Sequence, residues 1–162
     1  MRSDMLIAYY SRHGNTRKIA ELIKCATGAD LFEIELVRSC TTDYDAVVAQ
    51  AKTQIRSSFW PELESMPETD SYEVVFLGTP IWWHTMAPPL ASFIEHFDLE
   101  KKTVVPFYTH CGGGGGKYEQ DIIKMCQDST VARGFGTYNT DGSDTTAKID
   151  VWLNAMGFQF QT

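Results

Sequence analysis

Met5-Leu6-Ile7-Ala8-Tyr9-Tyr10 runs straight into Ser11-Arg12-His13-Gly14-Asn15-Thr16, and from there into Arg17-Lys18-Ile19-Ala20-Glu21-Leu22-Ile23-Lys24-Cys25-Ala26. The first block is a short apolar run suited to a buried strand. In the last block Ile19, Ala20, Leu22, Ile23 and Ala26 recur at helical spacing, and Gly28 stops the helix. A buried strand that turns directly into a helix opens a β/α unit.

The rest of the chain repeats the pattern. Residues 30–37 alternate through Leu31, Phe32, Ile34 and Leu36 as a second strand, and residues 44–56 carry Val47, Val48, Ala51 and Ile55 at helical spacing. A loop over 57–71 holds Phe59, Trp60, Leu63 and two prolines. Glu73-Val74-Val75-Phe76-Leu77 centres a third strand over 72–78, and Pro88-Pro89 opens a helix that turns Leu90, Phe93, Ile94 and Phe97 inward. A fourth strand over 103–109 precedes a helix over 118–126 with Ile122, Ile123 and Met125. The fifth strand, 131–135, is interrupted by Arg133 and Gly134. Asp144 caps a last helix carrying Ile149, Val151, Trp152, Leu153 and Met156, with Gly157 at its end. Five β/α units in series predict one α/β domain over residues 1–162, a three-layer α/β/α sandwich around a parallel sheet with right-handed crossovers.

Composition narrows the function. The chain has 162 residues, 43% of them hydrophobic and 22% charged, enough for a full core without metals or disulfides. A formal net charge of −7 disfavours nucleic acid, which needs clustered Lys and Arg. It suits steering toward a basic protein face, or serves solubility alone. Cys25, Cys40, Cys111 and Cys126 form no C-x-x-C pair and are read as thiols of a reducing compartment. No stretch approaches the roughly 18 apolar residues of a membrane span, so a cytoplasmic protein is expected.

In open α/β sheets ligands bind beyond the carboxyl ends of the strands. After the first strand, Ser11, His13, Gly14, Asn15 and Thr16 surround a helix N-terminus, where free backbone N–H groups and the helix dipole favour an anion. A terminal phosphate monoester suits so short a loop, and no G-x-G-x-x-G is present for a pyrophosphate; the plainer alternative is that Ser11 or Asn15 only caps the helix. After the third strand come Thr79-Pro80-Ile81-Trp82-Trp83-His84. One of two adjacent tryptophans in a loop is expected to face a cleft and offer a flat surface to a planar ring, the alternative being that both pack in the core. Thr79 adds a hydroxyl for the phosphate. After the fourth strand, Thr109-His110-Cys111 leads into five glycines, Lys117 and Tyr118. Such a run costs backbone entropy, and close approach of a ligand to Gly112 and Gly113 would offset it; an unliganded surface loop is the alternative. Tyr118 is either a second face for the ring or a helix cap.

Two other phosphate chemistries fail on particular residues. A Walker A loop ending at Gly116-Lys117 would need Gly at 111 and Ser or Thr at 118, where Cys111 and Tyr118 stand. Cys111 and Lys117 approach the C-x5-R spacing of cysteine phosphatases, but lysine lacks the planar fork that clamps a phosphate.

Together the three loops resemble flavodoxin. The resemblance covers essentially the whole chain and is carried by Tyr9-Tyr10-Ser11-x-x-Gly14-Asn15-Thr16, by Phe76-Leu77-Gly78-Thr79-Pro80-Ile81-Trp82-Trp83 and by Pro106-Phe107-Tyr108-Thr109-His110. It implies a five-stranded sheet of order 2-1-3-4-5, of the short-chain type, with FMN at the switch point. It also implies that Ser11, Gly14, Asn15 and Thr16 hold the phosphate, that Thr79 to His84 line one side of the ring, and that His110 to Gly113 line its pyrimidine end. No residue is required as acid, base or nucleophile, since the cofactor does the chemistry. The leading expectation is a monomeric electron carrier that meets a donor reductase and an acceptor protein through a basic docking face. The rivals are an FMN-dependent NAD(P)H reductase acting on quinones or other small acceptors, and a binding module without flavin.

His13 stands where the family has a small hydroxyl residue, and Arg12 adds a charge. A titrating imidazole beside the phosphate makes FMN affinity sensitive to pH. FMN titrations between pH 5 and 8 are expected to give different pH profiles for the wild type and His13→Gln; identical profiles would remove His13 from the phosphate site.

Overall fold

The computed structural model describes residues 4–12, 14–37, 44–56, 61–68, 71–138 and 145–157. Along its first strand, β1 (Met5–Tyr9), successive side chains enter two different cores: Leu6 and Ala8 one, Ile7 and Tyr9 the other. Two later strands, Val74–Trp82 and Thr103–His110, do the same through Val75 and Phe76 and through Val104 and Val105. Strands buried on both faces have no polar side to show, and so read as unbroken apolar runs.

The helices supply the outer layers. α1 (Asn15–Thr27) buries Ile19, Ala20 and Ile23 against one face of the sheet. Its last turn closes on Gly28, whose left-handed φ of 75° lets its N–H reach Lys24 O at 2.7 Å. After β2 (Asp30–Glu33), α2 (Tyr44–Arg56) brings Ala51 to the opposite core. There it meets Leu90, Phe93 and Ile94 of the helix that Pro88 opens, and Ile122 of the next. With β3 (Val74–Trp82), β4 (Thr85–Met86), α3 (Pro88–His96), β5 (Thr103–His110), α4 (Tyr118–Met125), β6 (Thr130–Val131), β7 (Phe135–Tyr138) and α5 (Thr145–Ala155), the chain is a three-layer α/β/α sandwich. α5 returns to the face of α1 with Ile149, Trp152 and Leu153. No helix among the described residues is long and apolar enough to cross a membrane.

The strands lie in the order β2-β1-β3-β5, all parallel, with β6 and β7 both parallel to the outer side of β5. Counted by β/α unit this is the order 2-1-3-4-5. The sheet differs from the expected five strands by having seven, and both additions have a local cause. The fifth position is split because the backbone leaves the ladder at Gly134, whose N–H donates to Glu119 Oε1 at 2.7 Å, while Arg133 O accepts Trp152 Nε1–H at 2.9 Å. A Cβ at Gly134 would lie 2.5 Å from that carboxylate oxygen. The other addition is β4, formed because β3 runs past Gly78 as far as Trp82 and then folds back antiparallel on itself. Phe59, Trp60, Cys40 and the Asp144 cap lie outside the described residues.

Gly78 is paired with Phe107 across the β3–β5 ladder, and a Cβ there would stand 2.1 Å from the ring. Gly78→Ala is therefore expected to overpack the core and cost about 1–3 kcal/mol, read as a lower urea midpoint with an unchanged slope. An unchanged midpoint would mean that Phe107 has somewhere to move.

Candidate functional site

The chain steps from β1 to its neighbour β2 on one side, then returns to β3 on the other, so the loops leaving β1 and β3 part company. At that reversal three loops converge on one cleft. From the first loop come Ser11, Arg12, Asn15 and Thr16; from the second Pro80, Ile81 and Trp82; from the third Thr109, His110 and Cys111.

The first loop is organised by Ser11. Its Oγ accepts the N–H of Gly14 at 3.0 Å and that of Arg17 at 3.3 Å. A hydroxyl that accepts twice still has its own proton to donate. Gly14 takes φ 92° as the helix N-cap, and a Cβ there would meet nothing within 4 Å. The first intrahelical bond runs from Lys18 N to Gly14 O at 3.0 Å, so the amides of Asn15 and Thr16 stand ahead of the helical ladder. Thr16 Oγ1 lies 2.9 Å from Thr109 Oγ1 in a buried pair. Whichever hydroxyl donates, the proton of the other remains. Arg17 pairs with Glu33 and is bonded to Tyr9, fixing the outer flank of the helix start. His13 lies outside the described residues.

The second loop is a hairpin. Trp83 and His84 occupy its tip with φ 54° and 67°, the pattern of a type I′ turn. Non-glycine residues in that region cost on the order of 1–3 kcal/mol each. One compensating contact is on the third loop, where Lys117 N donates to His84 O at 2.6 Å. The two tryptophans part: Trp82 is buried, edge-on to Tyr10 with ring centroids 5.7 Å apart, and lines the cleft. Trp83 is 43% exposed and carries Lys52 Nζ 4.7 Å from its ring centroid. Burial raises the Tyr10 phenol above its usual value, and the positive charge of Arg12 offsets part of that rise.

Two sequence expectations need correction. Thr79 offers nothing to a phosphate: it is fully buried, with Oγ1 donating to Pro80 O at 2.8 Å and accepting Ala87 N–H, just ahead of α3, at 3.0 Å. Tyr118 offers no face to a ring. It is fully buried, its hydroxyl donating to Leu77 O at 2.6 Å, because the first turn of α4 points it beneath β3. Burial holds its phenol well above the ordinary value of 10.0. Trp83, His84, Gly112 and Gly113 lie outside the cleft lining. Two residues near the cleft were absent from the expected set. Arg12 lines it, and its charge was the signal. Tyr138, 50% exposed, packs edge-on to His110 at 5.8 Å. It had no signal, because the broken apolar pattern ended the fifth strand at Phe135.

The donor set suits a phosphate monoester: hydroxyl protons from Ser11 and from the Thr16–Thr109 pair, the Asn15 amide, two amides at a helix start, and space where Gly14 lacks a side chain. Next to it lies an apolar wall of Pro80, Ile81 and Trp82. The residues therefore fit a phosphorylated planar ring, and the fold and site define a doubly wound α/β protein with a ligand cleft at its switch point. A family model described as flavodoxin matches residues 4–156, and the chain belongs to that family. A protein from Bacteroides eggerthii assigned as a flavoprotein is 29% identical, superposes with a TM-score of 0.82, and aligns over 96% of this chain and 99% of its own. A flavoprotein from Lactobacillus acidophilus in complex with FMN (23% identical, TM-score 0.74, 93% and 99% covered) and an NADH:FMN oxidoreductase in its apo form (14%, 0.61, 99% and 91%) share the fold. No curated protein matches the sequence.

Tyr118 and Cys126, whose thiol burial pushes up to about 11, both resist ionisation in the folded chain. Unfolding lets them ionise at lower pH, so their contribution is complete below about pH 9 and is lost as pH rises toward 11. Tyr118→Phe is expected to flatten that alkaline loss in denaturant titrations at pH 8, 9.5 and 11 while leaving ligand affinity unchanged. Weaker ligand binding in this variant would return Tyr118 to the site.

Proposed function

We propose that the chain binds FMN in this cleft and serves as an electron carrier. The observation that carries the reading is the meeting of a phosphate-type helix start with an aromatic-lined second loop in one cleft. FMN, when bound, supplies the redox chemistry by accepting and releasing electrons. The chain's own part is to hold and bias it. Ser11, Asn15 and Thr16 anchor the phosphate, Trp82 and Ile81 exclude water from one side of the ring, and the third loop borders its edge. A net charge of −7 disfavours extra negative charge on the flavin and suits a partner with a basic docking face. Exposed Trp83 and Tyr138 flank the cleft where such a partner would touch. We place this carrier in the cytoplasm, as a monomer, with its cysteines reduced.

A second reading is an FMN-dependent reductase taking hydride from NAD(P)H. It is favoured by the third loop, where Gly113 and Gly114 present bare backbone with no neighbour on the Cβ side within 4 Å.

The visible spectrum of the purified protein, before and after anaerobic addition of NADPH, tests both. A flavin spectrum that persists is the expected result. Rapid bleaching would establish the reductase instead, and a colourless protein that takes up no added FMN would overturn the flavin reading altogether.

A further inference from the structure

Five consecutive glycines follow His110 and Cys111, and the structure divides them. Gly115 and Gly116 are wedged: a Cβ at Gly115 would stand 2.7 Å from the Tyr108 ring, and one at Gly116 2.2 Å from His84 O. Their lack of side chains answers to packing. Gly112 and Gly114 are different. They take φ 119° and 72°, with no such close neighbour on the Cβ side. What they share is a partner: both N–H groups donate to one atom, His110 Nδ1, at 3.0 and 3.3 Å.

An atom that receives two N–H groups presents a lone pair. Nδ1 of His110 is therefore the shared acceptor on which this part of the loop is gathered. Its backbone is fixed by the pairing of His110 with Tyr138 across the β5–β7 ladder, and its ring is held edge-on to Tyr138 and 6.1 Å from Tyr108. The side chain also lines the cleft. Tyr108 from its own strand and Tyr138 from β7 pack on the ring, and Cys111 and Arg12 line the same cleft.

We propose that His110 is the positioning residue of the third loop: its Nδ1 holds the amides of Gly112 and Gly114 together and so fixes the shape in which the loop borders the flavin. Both bonds end on one atom, so removing the ring removes both together. A run of glycines has little conformational preference of its own, and nothing else in its sequence would restore the shape. This inference rests on the FMN reading for its ligand, and on the loop geometry alone for its mechanism.

Three chains decide it: wild type, His110→Asn, whose side-chain carbonyl oxygen reaches from the backbone much as Nδ1 does, and His110→Ala. The first readout needs no flavin. Amide hydrogen exchange at Gly112 and Gly114, corrected for intrinsic rates, is expected to show protection at pH 8 in the wild type and in His110→Asn that His110→Ala lacks. The second readout is FMN affinity at pH 8, expected to weaken about tenfold in His110→Ala and to be restored in His110→Asn. Equal protection in wild type and His110→Ala would overturn the proposal, as would a His110→Asn chain no better protected than His110→Ala. A chain that binds no FMN at pH 8 overturns the functional reading instead, and the amide exchange alone then decides whether His110 holds the loop.

Discussion

The handedness of the strand-to-strand crossover is the constraint on which this structure rests. Each parallel pair must be joined over one face with a right-handed turn. The path from β1 to β2 and the path from β2 back to β3 therefore place α1 and α2 on opposite faces. The reversal leaves β1 and β3 side by side with loops that diverge, and the gap between them opens the top of the sheet to a ligand. The phosphate-type helix start, the tryptophan hairpin and the glycine loop acquire a common target only because the topology aims them there.

Within that gap the walls are fastened to one another, two of the fastenings joining segments far apart in sequence and one closing the hairpin on itself. Thr16 meets Thr109, so the first helix start is tied to the end of β5. His84 O meets Lys117 N, so the hairpin tip is tied to the foot of α4. Thr79 holds the amide of Ala87, closing the hairpin from within. Each has a partner at a helix start, Thr16, Lys117 or Ala87, where backbone polar atoms lack partners inside their own element. The same shortage that leaves the Asn15 and Thr16 amides ahead of the α1 ladder is met elsewhere by these cross-links.

Most of the fold was legible because it depends on local pattern. The unbroken apolar runs of 5–9 and 74–77 and the helical spacing of Ile19, Ala20 and Ile23 needed no knowledge of their neighbours. What escaped depended on contacts between distant segments. The split of the fifth strand follows from a carboxylate on α4, and the extension of β3 to Trp82 from a hairpin whose tip uses a tryptophan and a histidine where sequence habit would place Asn-Gly. That Ser11, Asn15, Thr16 and Trp82 would line one cleft was readable from residue type and place. Thr79 and Tyr118 were not, because a hydroxyl at a loop looks the same in sequence whether it meets a ligand or a buried carbonyl. The glycines carried the least information: five identical residues conceal two wedged by packing and two gathered by a histidine.

The wedging of Gly115 and Gly116 bears on how such a loop tolerates change in length. Residues added after Gly116 would push Lys117 away from the His84 carbonyl, and any side chain at 115 or 116 would strike a ring or a backbone oxygen. Between Cys111 and Gly115 the main chain is bordered by open space, so extra residues have somewhere to go. Variation in ligand contact among chains built on this plan therefore has one permitted address, the leading half of the glycine run, while the trailing half acts as a fixed splice between loop and helix.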